Sequence, residues 1–112
     1  EGNEYSWGNA TDKAKGRFGL GGNKGTAPVG SYSPNGYGVY DMSGNAWEWV
    51  GSKYKGYPYR AKDGRENINN LEDKRVVRSG SWDYSSFNVR CANRYWDFSL
   101  RPVNNGGFRC AR

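Results

Sequence analysis

No stretch of this chain sustains a helical hydrophobic period, while glycine recurs 17 times without fixed spacing. A backbone interrupted so often turns often, so its regular elements must be short and its connections long. Only 35% of the 112 residues are hydrophobic, yet 16% are aromatic. Disordered chains are poor in aromatics, so the expectation is a folded chain anchored by Trp and Tyr with little aliphatic filling. At this length residues 1–112 make a single domain, and a small one for a self-sufficient core.

Residues 8 to 38 hold many glycines together with Pro28 and Pro34, and read as a long surface loop pinned by Trp7, Phe18, Tyr32 and Tyr37. Ser33-Pro34-Asn35-Gly36 predicts a turn, and Ser43-Gly44-Asn45 a second. In Ala46-Trp47-Glu48-Trp49-Val50 the alternation puts both tryptophans on one face of a strand, with Glu48 opposite and structural. Residues 51 to 75 form a polar excursion, after which a strand restarts at Arg75-Val76-Val77-Arg78 and runs through Trp82. Val89–Asn93 and Gly107–Ala111 complete the strand candidates. Their periodicity places Cys91 and Cys110 on core faces as buried thiols, and a disulfide between them is left open. Tyr95-Trp96-Asp97-Phe98 falls outside a clean strand period. Three aromatics in four residues are hard to bury in so small a domain, so most of this cluster is expected to be exposed.

Several functions are excluded or disfavoured. The chain has no histidine, so Ser-His-Asp and Cys-His catalysis is impossible within it. Its net charge of +6 is dispersed from Lys13 to Arg112, which reads as a solvated basic surface; no nucleic acid is expected as partner. No apolar run approaches a membrane span, no signal peptide is evident, and two cysteines fix no compartment.

Longer strings are specific. Gly25-Thr26-Ala27-Pro28-Val29-Gly30 precedes Pro34-Asn35-Gly36-Tyr37-Gly38-Val39-Tyr40-Asp41-Met42-Ser43-Gly44-Asn45-Ala46-Trp47-Glu48-Trp49. Arg75–Trp82, Arg90-Cys91-Ala92-Asn93-Arg94 and Gly107-Phe108-Arg109 follow in order. Together with Trp7-Gly8-Asn9, these resemble the later half of formylglycine-generating-enzyme (sulfatase-modifying factor) domains. The resemblance implies an α+β C-type lectin fold, mostly irregular loops with a small antiparallel sheet, of which this chain is the C-terminal half. The helices that precede Trp7 in that family are absent here, so a further N-terminal segment or chain is expected to complete the fold.

The family's namesake reaction, copper-dependent oxidation of a sulfatase cysteine, needs a thiol pair shortly after the Gly-Ser-aromatic step. Here that stretch reads Trp82-Asp83-Tyr84-Ser85-Ser86-Phe87. Tyr84 stands about where the first thiol would be, and a phenol cannot replace a thiolate as a copper(I) ligand. No enzyme and no copper are therefore expected. Residues 79–112 instead resemble the variable region of proteins diversified by retroelements, in which Gly-Ser-Trp, Arg-Cys-Ala-Asn-Arg and Gly-Phe-Arg form a fixed frame. That resemblance implies a protein or other macromolecular ligand, a bacterial or phage origin, and a setting at a cell or virion surface. The candidate contact residues are Asp83, Tyr84, Ser85, Ser86, Tyr95, Trp96, Asp97, Phe98 and Ser99. Rigid aromatics would supply area, and short polar side chains adaptable hydrogen bonds. A degenerate regulatory or structural copy of the domain is the remaining alternative. The family also implies calcium, held by the Asp41 side chain and by backbone carbonyls at Met42, Gly44 and Ala46. A single carboxylate among neutral oxygens makes such a site weak, and the alternative is that Asp41 caps the Ser43-Gly44-Asn45 turn.

Overall fold

The structure, a computed structural model, describes residues 2–111. Its regular elements are four strands: β1 (Trp47–Lys53), β2 (Lys74–Arg78), β3 (Tyr95–Phe98) and β4 (Gly106–Gly107). They form one sheet in the order β3-β2-β1-β4. β1–β2 and β2–β3 are antiparallel, whereas β4 lies parallel to β1. The sheet is therefore mixed rather than antiparallel, and no helix occurs among the described residues, which corrects the α+β expectation.

The register aligns Trp49 with Val77 and Val77 with Tyr95, a row that crosses three strands. Alternation along β1 puts Trp47 on the same face, opposite Gly106 of β4. Gly106 has no side chain for a reason: a Cβ there would meet the Val103 side chain at 2.6 Å.

Two strand assignments fail. Residues 89–93 form turns, and the last strand is only Gly106–Gly107. Phe108, at 79% exposed, lies beyond its end, and Cys91 and Cys110 are exposed and free instead of buried. Periodicity misled here because neither segment has a partner along its length to fix its inward face. β2 also stops at Arg78, since Ser79 and Gly80 both take positive φ and leave extended geometry. Conversely, Tyr95–Phe98 is a strand, stabilised by pairing with β2 along all four residues.

Outside the sheet, backbone hydrogen bonds knit irregular segments together. Gly44 N donates to Ser79 O at 2.6 Å, Asn45 N to Arg17 O at 2.8 Å, and Trp82 N to Asn45 O at 3.0 Å. Gly44 sits at φ +92° with Arg17 O only 2.4 Å from where a Cβ would stand, so this crossing admits no side chain. The buried hydrophobic residues are Tyr5, Phe18, Trp47, Trp82, Val76, Val77 and Val89, a core with more aromatic than aliphatic volume, as composition required. Trp7 stacks between Tyr5 and Phe18 at centroid distances of 5.2 and 6.0 Å. Tyr37, expected as an anchor, is largely exposed. The turn near it lies over Asn35–Gly38, two residues later than predicted. Asn35 Oδ1 accepts from Tyr37 N and Val39 N, and Gly38 takes the positive φ.

The 54–73 excursion carries no strand and almost no apolar filling. Buried Arg75 pegs it to the sheet, donating to the carbonyls of Gly51, Asn67 and Asn70. Buried Arg65 pairs with Asp63 at 2.7 Å and reaches the carbonyls of Gly56 and Pro58. A guanidinium has five donors and can close several carbonyls at once, so it substitutes for a core in a glycine-rich loop. The basic residues are thus not all solvated.

Candidate ligand-binding site

Tyr84, Tyr95 and Asp97 converge with Trp47, Trp49, Val77, Val103 and Asn105 around a recess of about 40 Å³. Sheet register creates it. Trp47, Trp49, Tyr95 and Asp97 project from one face, and the loop after Trp82 folds Tyr84 over them. Two backbone bonds hold that loop: Gly19 N to Tyr84 O at 2.7 Å and Leu20 N to Trp82 O at 2.9 Å. The Trp47 ring meets Tyr84 edge-on at 5.2 Å and Tyr95 at 5.8 Å, and the two tyrosines are 6.5 Å apart. Ring edges against ring faces are favourable quadrupole contacts, so the walls hold their shape without a ligand. Burial, then the neighbouring Tyr95, Asp83 and Asp97, raises the Tyr84 phenol above its ordinary pKa, and Arg101 opposes this. One carboxylate, Asp97, lines the recess in a chain of net charge +6.

The other expected contact residues fall elsewhere. Asp83 is exposed and accepts from Ser81 Oγ at 2.5 Å and from Asn105 Nδ2 at 3.1 and 3.2 Å, tying the loop to the entrance of β4. Ser85 bonds Asn88 at 3.1 Å, and Ser86 is half-buried beside it. Trp96 and Phe98 alternate to the other side of β3, edge to face at 5.7 Å, with Lys74 Nζ 3.7 Å above the Trp96 ring centre, while the Trp96 ring reaches back to stack on Tyr95 at 5.9 Å. Ser99 Oγ is spent on the Leu71 carbonyl. Tyr95 and Phe98 are 45% and 44% exposed, while Trp96 and Asp97 are half-buried, so the cluster is partly open and shared between two faces. The sequence reading missed Trp47 and Trp49 as parts of the site. Their shared face was legible, but which residues stand beside it follows from register alone.

At the expected metal site, Asp41, Gly44 and Ala46 line a cleft of about 530 Å³ together with Glu48 and Arg109, while Met42 lines a different one. Asp41 has φ +55°, and its Oδ2 accepts from Gly30 N at 2.7 Å. The Arg109 guanidinium holds Glu48 at 2.5 and 2.7 Å and donates to the carbonyls of Tyr40 and Asp41 at 3.1 and 3.2 Å. Glu48 thus has a structural role, accepting from the Arg109 guanidinium. The donors left for a hard cation are one carboxylate and loop carbonyls beside a fixed positive charge, which is a poor fit for tight calcium binding. Among the described residues no group of three acidic or thiol side chains is placed to hold a metal.

Short strands, arginine-pegged loops and a small aromatic recess define a loop-dominated domain with a surface site, and comparisons with known proteins agree with that class. Residues 1–112 match the sulfatase-modifying factor enzyme 1-like domain, and the chain belongs to that family. It is 34% identical to serine/threonine-protein kinase pkn1 of Chlamydia caviae, over 96% of this chain and 18% of that protein. It is 33% identical to inactive C-alpha-formylglycine-generating enzyme 2 of Bos taurus, over 99% of this chain and 38% of that protein. In structure it resembles Treponema denticola variable protein 1, with a TM-score of 0.75 at 23% identity, covering 95% of this chain and 39% of that one. The chain therefore spans less than half the length of each of these relatives. Among the described residues no helix is long and apolar enough to cross a membrane.

Proposed function

We propose that the chain is a non-enzymatic ligand-binding module of the C-type lectin type, whose contact surface is built from residues 79–112 for a protein or peptide ligand. The observation that carries this reading is the convergence of Tyr84, Tyr95 and Asp97, all from that region, with the two β1 tryptophans around a partly open recess. Aromatic walls with a few polar groups are the usual composition of a recognition hot spot. No thiol stands between Trp82 and Asn88, and Tyr84 fills the position where the oxidase chemistry would need the first. One relative sharing 33% identity is itself named as an inactive enzyme, so the family accommodates loss of that chemistry.

Two finer elements belong to the same proposal. Exposed Phe108 and Val29 line a cleft of about 530 Å³ and exposed Met42 one of about 620 Å³, a surface suited to receive a further segment or chain that completes the fold. Calcium at Asp41, with the carbonyls of Met42, Gly44 and Ala46, would brace the same loop weakly.

The test is panning of a displayed random peptide library over the immobilised protein. Enriched peptides should lose binding to a Tyr95→Ala/Trp96→Ala variant and keep it for Tyr95→Phe. The double variant also removes the ring contacts to Trp47, Tyr84 and Phe98, each contributing about 1 kcal/mol, so circular dichroism must show it folded before its loss of binding counts. Peptides that bind the double variant unchanged would refute this surface.

A further inference from the structure

Several exposed aromatic side chains are capped by the chain's own cations. Arg65 lies over Tyr59, Lys74 over Trp96 and Phe98, Arg90 over Phe87, and Arg94 over Tyr57 and Tyr54, at 3.7 to 5.7 Å from the ring centres. The recess formed by Trp47, Trp49, Tyr84 and Tyr95 has no such cap among the described residues, although it gathers four rings and a carboxylate. We infer that this recess takes the ammonium head of a lysine presented by a protein or peptide partner, with the rings as walls and Asp97 as counter-ion. The inference deepens the binding-surface reading and rests on it.

Three features select that ligand. A positive head group is attracted to the negative faces of aromatic rings, and Trp and Tyr are the strongest of these acceptors. Asp97 supplies formal charge at the same place. Its present partner, Arg101, contacts it at 3.5 Å from a side chain that is 67% exposed, a contact of the kind that contributes little and yields readily to a competitor. The recess is also small, about 40 Å³, so a compact primary ammonium enters it with less displacement of the ring walls than a guanidinium plane or a trimethylammonium head. The lysine stem is also long and apolar enough to lie across the half-exposed Tyr95 ring while its head enters.

The net charge of +6 opposes any cation at long range. Screening at physiological salt limits that repulsion to about 8 Å, within which Asp97 and Asp83 dominate the recess. Asp83 is bound to Asn105 at the β4 entrance, and its field reaches Tyr84.

The experiment titrates the protein with Nα-acetyl-lysine methylamide and with its Nε-acetylated form, following the Trp47 and Trp49 indole resonances by NMR. The charged probe should shift both indoles saturably, and the neutral one should not. Asp97→Asn should weaken binding about tenfold; Tyr95→Phe should keep it, and Tyr95→Leu, which retains bulk without a ring, should lose it. Equal binding of both probes, or an unchanged affinity in Asp97→Asn, overturns the inference. Library panning separates the two levels. Peptides that depend on Tyr95 and Trp96 without an essential lysine sink the lysine assignment and leave the binding surface standing. Failure to enrich any peptide sinks the binding surface, and the assignment with it.

Discussion

Asn45 is the residue on which the irregular half of the molecule turns, and its replacement tests that half most directly. Its side chain is buried and forms a reciprocal pair with the backbone of Ala27, 18 residues away: Ala27 N donates to Oδ1 at 2.8 Å, and Nδ2 donates to Ala27 O at 3.2 Å. Its backbone adopts φ +69° and bridges Arg17 to Trp82. In Asn45→Ala both side-chain bonds disappear, each contributing about 1 kcal/mol net. Alanine must also hold left-handed geometry, which costs roughly 1 kcal/mol more than Asn there. The expected loss is about 3 kcal/mol, a large share of the 5–15 kcal/mol typical of a domain, and corresponds to a fall in Tm of about 15 °C. Asn45→Gly loses the same bonds without the conformational strain, so it should be more stable than Asn45→Ala by about 1 kcal/mol. Urea unfolding of the two variants beside the parent measures both quantities. If Asn45→Ala lies within about 0.5 kcal/mol of the parent, or the two variants coincide, the loop is not held by the Asn45 side chain and its left-handed backbone.

The acid limb of stability offers a second check. The Arg65 side chain beside Asp63 lowers that carboxyl from 3.8 to about 2, so its contribution is complete above pH 4 and lost as pH falls toward 2. Asp63→Asn should therefore show a smaller drop in Tm between pH 5 and pH 2 than the parent, and an identical drop would remove the pair from the account. For calcium, the Tm should rise modestly at millimolar concentrations in the parent and stay constant in Asp41→Ala. No rise in the parent would exclude the site.

The residues of the recess were legible only in part, and little of its assembly. Tyr84, Tyr95 and Asp97 stood among the candidate contact residues between the frame motifs, whereas alternation gave the two tryptophans of β1 a shared face and no place in the site. Nothing in the string states that Trp49, Val77 and Tyr95 share one row, because register depends on which strands pair. Trp96 and Phe98 illustrate the converse. They adjoin Tyr95 and Asp97 in sequence but face the other side of β3, where Lys74 already covers them. The cysteines failed for a related reason: alternating hydrophobicity predicts burial only where a partner strand exists, and neither Cys91 nor Cys110 lies in a strand.

By itself the sequence determined the kind of molecule this is. Glycines without period forbid long regular elements, scarce aliphatics force aromatics into the core, and these 112 residues hold no histidine and no thiol between Trp82 and Asn88. These are statements of composition and local geometry, which hold wherever the chain goes. The tertiary structure alone decided that β4 runs parallel to β1, that Arg65 and Arg75 serve as buried pegs, and that four rings and a carboxylate close on one recess. Each of those depends on contacts between segments tens of residues apart, and no local preference encodes which distant partner a strand, a guanidinium or a ring will meet.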